Sequence, residues 1–256
     1  MLMQKIDYQD DEILLEGYYA YDNKTEKKKP AILICHDWSG KNNFVCQKAD
    51  QLAELGYVGF ALDMYGKGKI GTSKEEKMEL MEPFMQDRNL LQKRILAAFE
   101  AVKKIDFVDE TKIGAIGFCF GGLCALDLAR SGADLKGVVS FHGLLNAPEI
   151  KTQRIKSKIL ALHGYDDPMA TPDKVITFAN EMTKANVDWQ LHMYGQTMHA
   201  FTNPEAHDPG FGTVYAKNAD ERSWVAMKNF FKEILEPDLR INLNKKTSAI
   251  PSLEFS

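Results

Sequence analysis

Short, unbroken apolar runs alternate along this chain with longer stretches whose apolar residues recur every three or four positions. Pro30–Cys35, Tyr57–Leu62, Lys112–Gly117, Lys136–Phe141 and Lys158–His163 are of the first kind, and Asp188–Tyr194 joins them. Runs of this length without polar alternation fit strands buried on both faces. Phe44–Gly56, Glu75–Lys104, Phe120–Arg130, Pro172–Ala185 and Ala219–Leu235 are of the second kind and predict helices. Gly56 is placed to cap the first of these at its C-terminus, and Pro83 predicts an interruption in the longest. At the start, two extended runs within Lys5–Tyr18 flank Gln9-Asp10-Asp11 and predict an antiparallel hairpin at a sheet edge.

Strands alternating with helices after a hairpin imply an α/β fold: a mostly parallel sheet with helices on both faces and right-handed crossovers. Ligands of such sheets bind outside the carboxyl ends of the strands. The pattern fades after residue 236, so a single domain is expected over 1–236, with a polar, proline-containing C-terminal extension over 237–256. At 256 residues and 45% hydrophobic content, one substantial core is affordable.

Charge narrows the function classes. There are 32 basic and 36 acidic residues, a formal net charge of -4, without a basic stripe. Nucleic acid is therefore not an expected partner, and the run Lys24–Lys29 reads as a solvated turn. No segment reaches the roughly 18 apolar residues of a membrane span, and the N-terminus lacks a signal-peptide core. A cytoplasmic protein without a membrane partner is expected, as a monomer or weak homodimer. The four cysteines, Cys35, Cys46, Cys119 and Cys124, have no zinc-binding spacing. Cys35 and Cys124 read as small buried hydrophobes.

Cys119 differs because of its neighbours. Gly117-Phe118-Cys119-Phe120-Gly121 lies between a strand and a helix, the nucleophile-elbow pattern with cysteine in the serine position. Such a turn is sharp enough to strain the nucleophile and to need glycine on either side. It lifts the sulfur to a helix N-terminus, where the dipole favours a thiolate. It also aims the Phe120 N–H at a developing oxyanion. The alternative is a glycine-rich turn with a buried cysteine.

A cysteine hydrolase needs a histidine and a group to orient it, and in folds with this elbow they follow the nucleophile as acid, then histidine. An acid follows the strand Lys158–His163, in Tyr165-Asp166-Asp167-Pro168. Asp167 is preferred to Asp166 because Pro168 holds it extended and fixes the direction of the loop. His199 follows the strand ending at Tyr194 and is the expected base. His163 is expected to support the acid loop, and His142, after the strand ending at Phe141, is a candidate substrate contact. The segment Cys35-His36-Asp37-Trp38-Ser39-Gly40 ends an early strand, where a second oxyanion donor is expected; Trp38 is the candidate. A carboxylate near a thiol disfavours the thiolate unless a cation balances it. Asp37 is thus either a gate on the nucleophile or a turn-capping aspartate.

With these residues in place, the chain resembles the dienelactone hydrolase (carboxymethylenebutenolidase) family over about residues 5–235. The matching pieces are Cys35–Gly40, Leu62-Asp63-Met64-Tyr65-Gly66-Lys67-Gly68, Gly117–Gly122, Leu162–Pro168 and Tyr194–Phe201. The resemblance implies an α/β-hydrolase fold, a Cys119–His199–Asp167 triad, and neither metal nor organic cofactor; attack by such a cysteine is expected to pass through a thioester intermediate. It also implies that the acid at position 37 helps activate the cysteine; family members usually carry Glu there, one methylene longer than Asp37. Members acting on dienelactones hold the substrate carboxylate with arginines, one of them four residues past the catalytic histidine. That position is Asn203 here, and Arg88 is the other cationic candidate. The expected activity is hydrolysis of a small ester or lactone. A general carboxylesterase or thioesterase shares the machinery, and a non-catalytic ligand-binding hydrolase fold is the rival of another class.

Overall fold

Pleat alternation in the early strand shows how the molecule is layered. In the computed structural model, which describes residues 1–24 and 26–236, Ala31, Leu33 and Cys35 face one apolar cluster while Ile32 and Ile34 face another. All five are fully buried, so neither face of the strand can carry polar side chains. Hence the unbroken apolar run.

The chain begins with β1 (Leu2–Asp10) and β2 (Ile13–Tyr21), an antiparallel hairpin turning through Asp11 at φ 49°. Then come β3 (Lys29–Cys35), α1 (Asn43–Glu54), β4 (Val58–Ala61), α2 (Lys74–Gln86) and α3 (Arg88–Lys103). Next are β5 (Val108–Phe118), α4 (Phe120–Arg130), β6 (Gly137–Phe141), β7 (Lys158–Gly164), α5 (Pro172–Lys184) and β8 (Trp189–Tyr194). A two-residue pair, β9 (His207–Asp208) with β10 (Thr213–Val214), precedes α6 (Lys217–Leu235). The main sheet has eight strands in the order β1-β2-β4-β3-β5-β6-β7-β8. From β4 to β8 every pairing is parallel, and the hairpin joins β4 antiparallel. This is the α/β-hydrolase fold. Apolar residues of α3, α4 and α5 join the cluster on one face, and those of α1 and α6 join the other.

The long helical region breaks at a place other than the one the proline predicts. Pro83 lies inside α2, and the break falls at Asp87, whose carboxylate accepts from the Asn89 and Leu90 N–H groups and caps α3. A side chain that satisfies orphan amides starts a new helix here more decisively than Pro83 ends the old one. The expected C-terminal extension lies outside the described residues. Among the described residues, no helix is long and apolar enough to cross a membrane.

Because β3, β5, β6, β7 and β8 are parallel, their carboxyl ends open on one edge. Asp37, Cys119, His142, Asp167 and His199 all follow those ends.

Candidate active site

The strand-to-helix turn after β5 is built by close approach. A Cβ on Gly117 would sit 1.9 Å from the Gly121 carbonyl oxygen, and one on Gly121 would sit 2.1 Å from that of Cys35. Only glycine fits either position. Between them Cys119 is forced to φ 57° and ψ -119°, a conformation that costs a non-glycine residue about 1–3 kcal/mol. The distortion lifts the half-buried thiol above the sheet. Phe120 is the first residue of α4, so its amide has no acceptor within the helix and faces the same end.

The acid loop after β7 turns Asp167 inward and leaves Asp166 exposed. One oxygen of Asp167 accepts from the Met169 and Ala170 N–H groups at 2.8 and 3.3 Å. The other accepts from His199 Nδ1–H at 2.7 Å. His163 donates from Nε2 to the Ala170 carbonyl at 2.7 Å and so braces the loop. His199 is held through its main chain: its N–H donates to Gly212 O at 3.0 Å, and its carbonyl accepts from Val214 N–H at 3.1 Å.

With Nδ1 committed to Asp167, Nε2 of His199 is the ring nitrogen left without a protein acceptor. It is buried without a well-aligned hydrogen-bond partner, yet it feels the Cys119 sulfur. Burial alone would push the ring pKa down; the Cys119 charge and the Asp167 hydrogen bond outweigh it and hold the ring at about 10, against an ordinary 6.5. The sign gives an expected result. Removing the sulfur in Cys119→Ala takes away the largest upward influence, so His199 titrates lower than in the wild type. Ring-nitrogen NMR over a pH series measures it, and an unchanged midpoint contradicts the pairing.

The loop after β3 is held just as firmly. His36 is fully buried; its Nδ1–H donates to the Asp37 carbonyl at 2.6 Å, and its Nε2 accepts from Met64 N–H at 3.1 Å. Tyr65 Oη donates to the Trp38 carbonyl at 2.9 Å. In a trans peptide the C=O and N–H point opposite ways. Gripping the Asp37 carbonyl therefore fixes the Trp38 N–H on the other side of that peptide. Sequence reasoning assigned no role to His36 or Tyr65; the Leu62–Gly68 match was the available signal. Asp63 organises that segment, its carboxylate accepting from the N–H groups of Glu16, Tyr65, Gly66 and Gly68.

Asp37 lines the cavity and also makes the turn contact weighed against gating. One of its oxygens accepts from both the N–H and the hydroxyl of Ser39. The cavity, about 490 Å³, has Cys119, His142 and His199 in its wall. Trp38, Phe118, Leu144, Met169 and Phe211 make much of the rest apolar, and α2 closes one side with Met78 and Met81. Trp38 stacks on Phe211 at 5.6 Å, and Lys74 pairs with Asp208 at 2.7 Å across the mouth. Nothing local in the sequence pointed to these α2 and 207–214 residues. Asn203 is in the wall as well.

Arg88 is not. Its guanidinium donates to Asp127 at 2.7 Å and to the Asn146 carbonyl at 3.3 Å, beside the fully buried Arg130, which bonds Asp127 and Glu181. The substrate-binding reading of Arg88 is corrected: its charge is spent on a buried carboxylate tying α3 to α4. His142 does reach the cavity wall, but both of its ring nitrogens bond within the protein.

Comparison with known proteins agrees with this architecture. The profile of the dienelactone hydrolase family matches residues 15–235. An uncharacterized Caenorhabditis elegans protein is 41% identical over 152 residues, 57% of this chain and 96% of its own length. A Pseudomonas putida carboxymethylenebutenolidase is 24% identical over 207 residues, covering 75% of this chain and 83% of its own. A solved dienelactone hydrolase-like promiscuous phosphotriesterase from metagenomic libraries superposes with a TM-score of 0.87 at 34% identity, over 91% of this chain and 98% of that one.

Proposed function

The chain belongs to the dienelactone hydrolase family, and from that premise we propose that it hydrolyses a small ester or lactone through a thioester on Cys119. One observation carries the reading. A strained half-buried cysteine and a histidine backed by the buried Asp167, brought in by three separate strands, come together, with Cys119 and His199 in the wall of one cavity. A core cysteine needs neither the strain nor a histidine whose free nitrogen is left unbonded beside it.

The groups assign themselves by what each can still do. The Cys119 proton is carried on Nε2 of His199, and the sulfur bonds to the substrate carbonyl carbon. The oxygen that gains the electron pair is held by the Phe120 and Trp38 N–H groups. Collapse breaks the bond to the alkoxide, which leaves with the proton from His199. A water then gives its proton to His199 and attacks the thioester, releasing the acid and restoring the thiol pair. Asp167 keeps the imidazole in the tautomer that presents Nε2 to sulfur. Asp37, which Ser39 holds in the wall of the same cavity, is the gate on the cysteine in this reading. One continuous sheet supports reading residues 1–236 as a single catalytic domain.

Apolar side chains make much of the wall, and its lining also includes two cations, Lys74 paired with Asp208 and Lys77 over the Trp38 ring. Turnover of p-nitrophenyl acetate and of a small unsaturated lactone tests the proposal directly. Hydrolysis of either is expected, and their ratio reports the preferred class. A folded protein that turns over neither contradicts the proposal.

A further inference from the structure

We infer that His142 is a positioning residue: its imidazole ties the nucleophile turn to the histidine loop and so sets the separation of Cys119 from His199. The inference rests on the reading of Cys119 as nucleophile, and it concerns a histidine to which the mechanism above gives no step.

His142 directly follows β6, at φ 38° and 2% exposed. Its own N–H donates to the Leu162 carbonyl at 2.8 Å, which anchors it to β7. The Cys119 N–H points at it and is shared between Nδ1 of His142 at 3.2 Å and the Phe141 carbonyl at 3.1 Å. On the far side of the ring, Nε2 lies 2.8 Å from Thr202 Oγ1. Thr202 is 1% exposed and follows His199 by three residues. The ring makes T-shaped contacts with those of His199 and Phe201, with centroids 5.2 and 5.0 Å away. One imidazole therefore touches the nucleophile's main chain, the base's ring and the base's loop.

The contacts also fix its protonation. A ring nitrogen that accepts an N–H carries no proton, so Nδ1 is bare and Nε2–H donates to Thr202. A proton on Nδ1 would face the Cys119 N–H donor. Burial first, then the charge of His199, holds the ring well below its ordinary pKa, with His163 and Lys48 acting in the same direction. His142 stays a neutral strut beside a partner that gains and loses charge. With both nitrogens engaged it has no free donor or acceptor for substrate.

His142→Phe keeps the ring and loses both bonds; Thr202→Val keeps its shape and loses one; His142→Asn tolerates the positive φ and retains an acceptor for Cys119. Displacement of reacting groups by about 1 Å costs on the order of 10²-fold, so His142→Phe is expected to lower kcat by about that factor. KM should stay within about 2-fold, because no uniform binding contact is removed. Thr202→Val should lower kcat less, His142→Asn should recover part of the loss, and the His142→Phe/Thr202→Val double variant should be no worse than His142→Phe alone, as expected of one shared link. Ring-nitrogen NMR of the wild type should show His142 bare at Nδ1 and protonated at Nε2. A rise in KM at unchanged kcat, additive losses in the double variant, or a proton on Nδ1 overturns the inference. If His142→Phe fails to fold, Thr202→Val and the NMR tautomer still decide. The tautomer is read without turnover, so failure of the cysteine reading and failure of this one are told apart.

Discussion

Cys119→Ala is expected to lose on the order of 10⁴-fold or more in kcat toward p-nitrophenyl acetate, the scale on which removing a covalent nucleophile leaves only residual catalysis from the oxyanion donors and binding. The fold should survive. Cys119 is half-buried at the cavity wall, so truncation opens no void deep in the core, and Phe118 and Phe120 on either side remain fully packed. Alanine also inherits the same φ of 57°, so the strain of the turn is unchanged. The thermal transition should therefore lie close to the wild type's while turnover disappears. Turnover near the wild-type rate in this variant would move the chemistry to another group.

Asp167→Asn is expected to reduce kcat by about 10⁴-fold, with little change in the position of the loop. The asparagine carbonyl can still accept from the Met169 and Ala170 N–H groups, so the turn stays satisfied. The amide NH₂ then faces His199 where the carboxylate oxygen lay at 2.7 Å. It can only donate, which makes Nδ1 the acceptor and moves the ring proton to Nε2. A proton on Nε2 blocks the nitrogen that must take the one from Cys119. Steady-state kinetics and the near-ultraviolet circular dichroism spectrum test both halves; a loss below about 10-fold would mean that Asp167 does not set the tautomer.

How much of this was legible beforehand follows from the range of the forces involved. The elbow is local: glycine at 117 and 121 is demanded by backbone contacts within the turn and with the adjacent strand, and α4 starts at Phe120 as its pattern predicts. The buried strands were readable because helices cover both faces of the sheet, leaving no room for alternation. That Asp167 and His199 share one edge of the sheet with Cys119 was readable because all three follow strand ends. Arg88 was not, because its partner Asp127 lies 39 residues away on another helix, and sequence offers no sign that a cation is already paired. Nor was the break at Asp87, where a capping carboxylate prevails over a proline four residues earlier. The α2 side of the cavity and the grip of His36 and Tyr65 on the Asp37–Trp38 segment depend on tertiary packing and leave only motif traces.

The central claim is that an acyl group passes through the sulfur of Cys119. Acid-quenching the enzyme during turnover of p-nitrophenyl acetate and mapping the adduct by peptide mass spectrometry tests it most directly. One acetyl group on the Cys119 peptide, labile to neutral hydroxylamine and absent from Cys119→Ala, is the predicted result. An acetyl group on another residue, or none while product forms in a pre-steady-state burst, would contradict it.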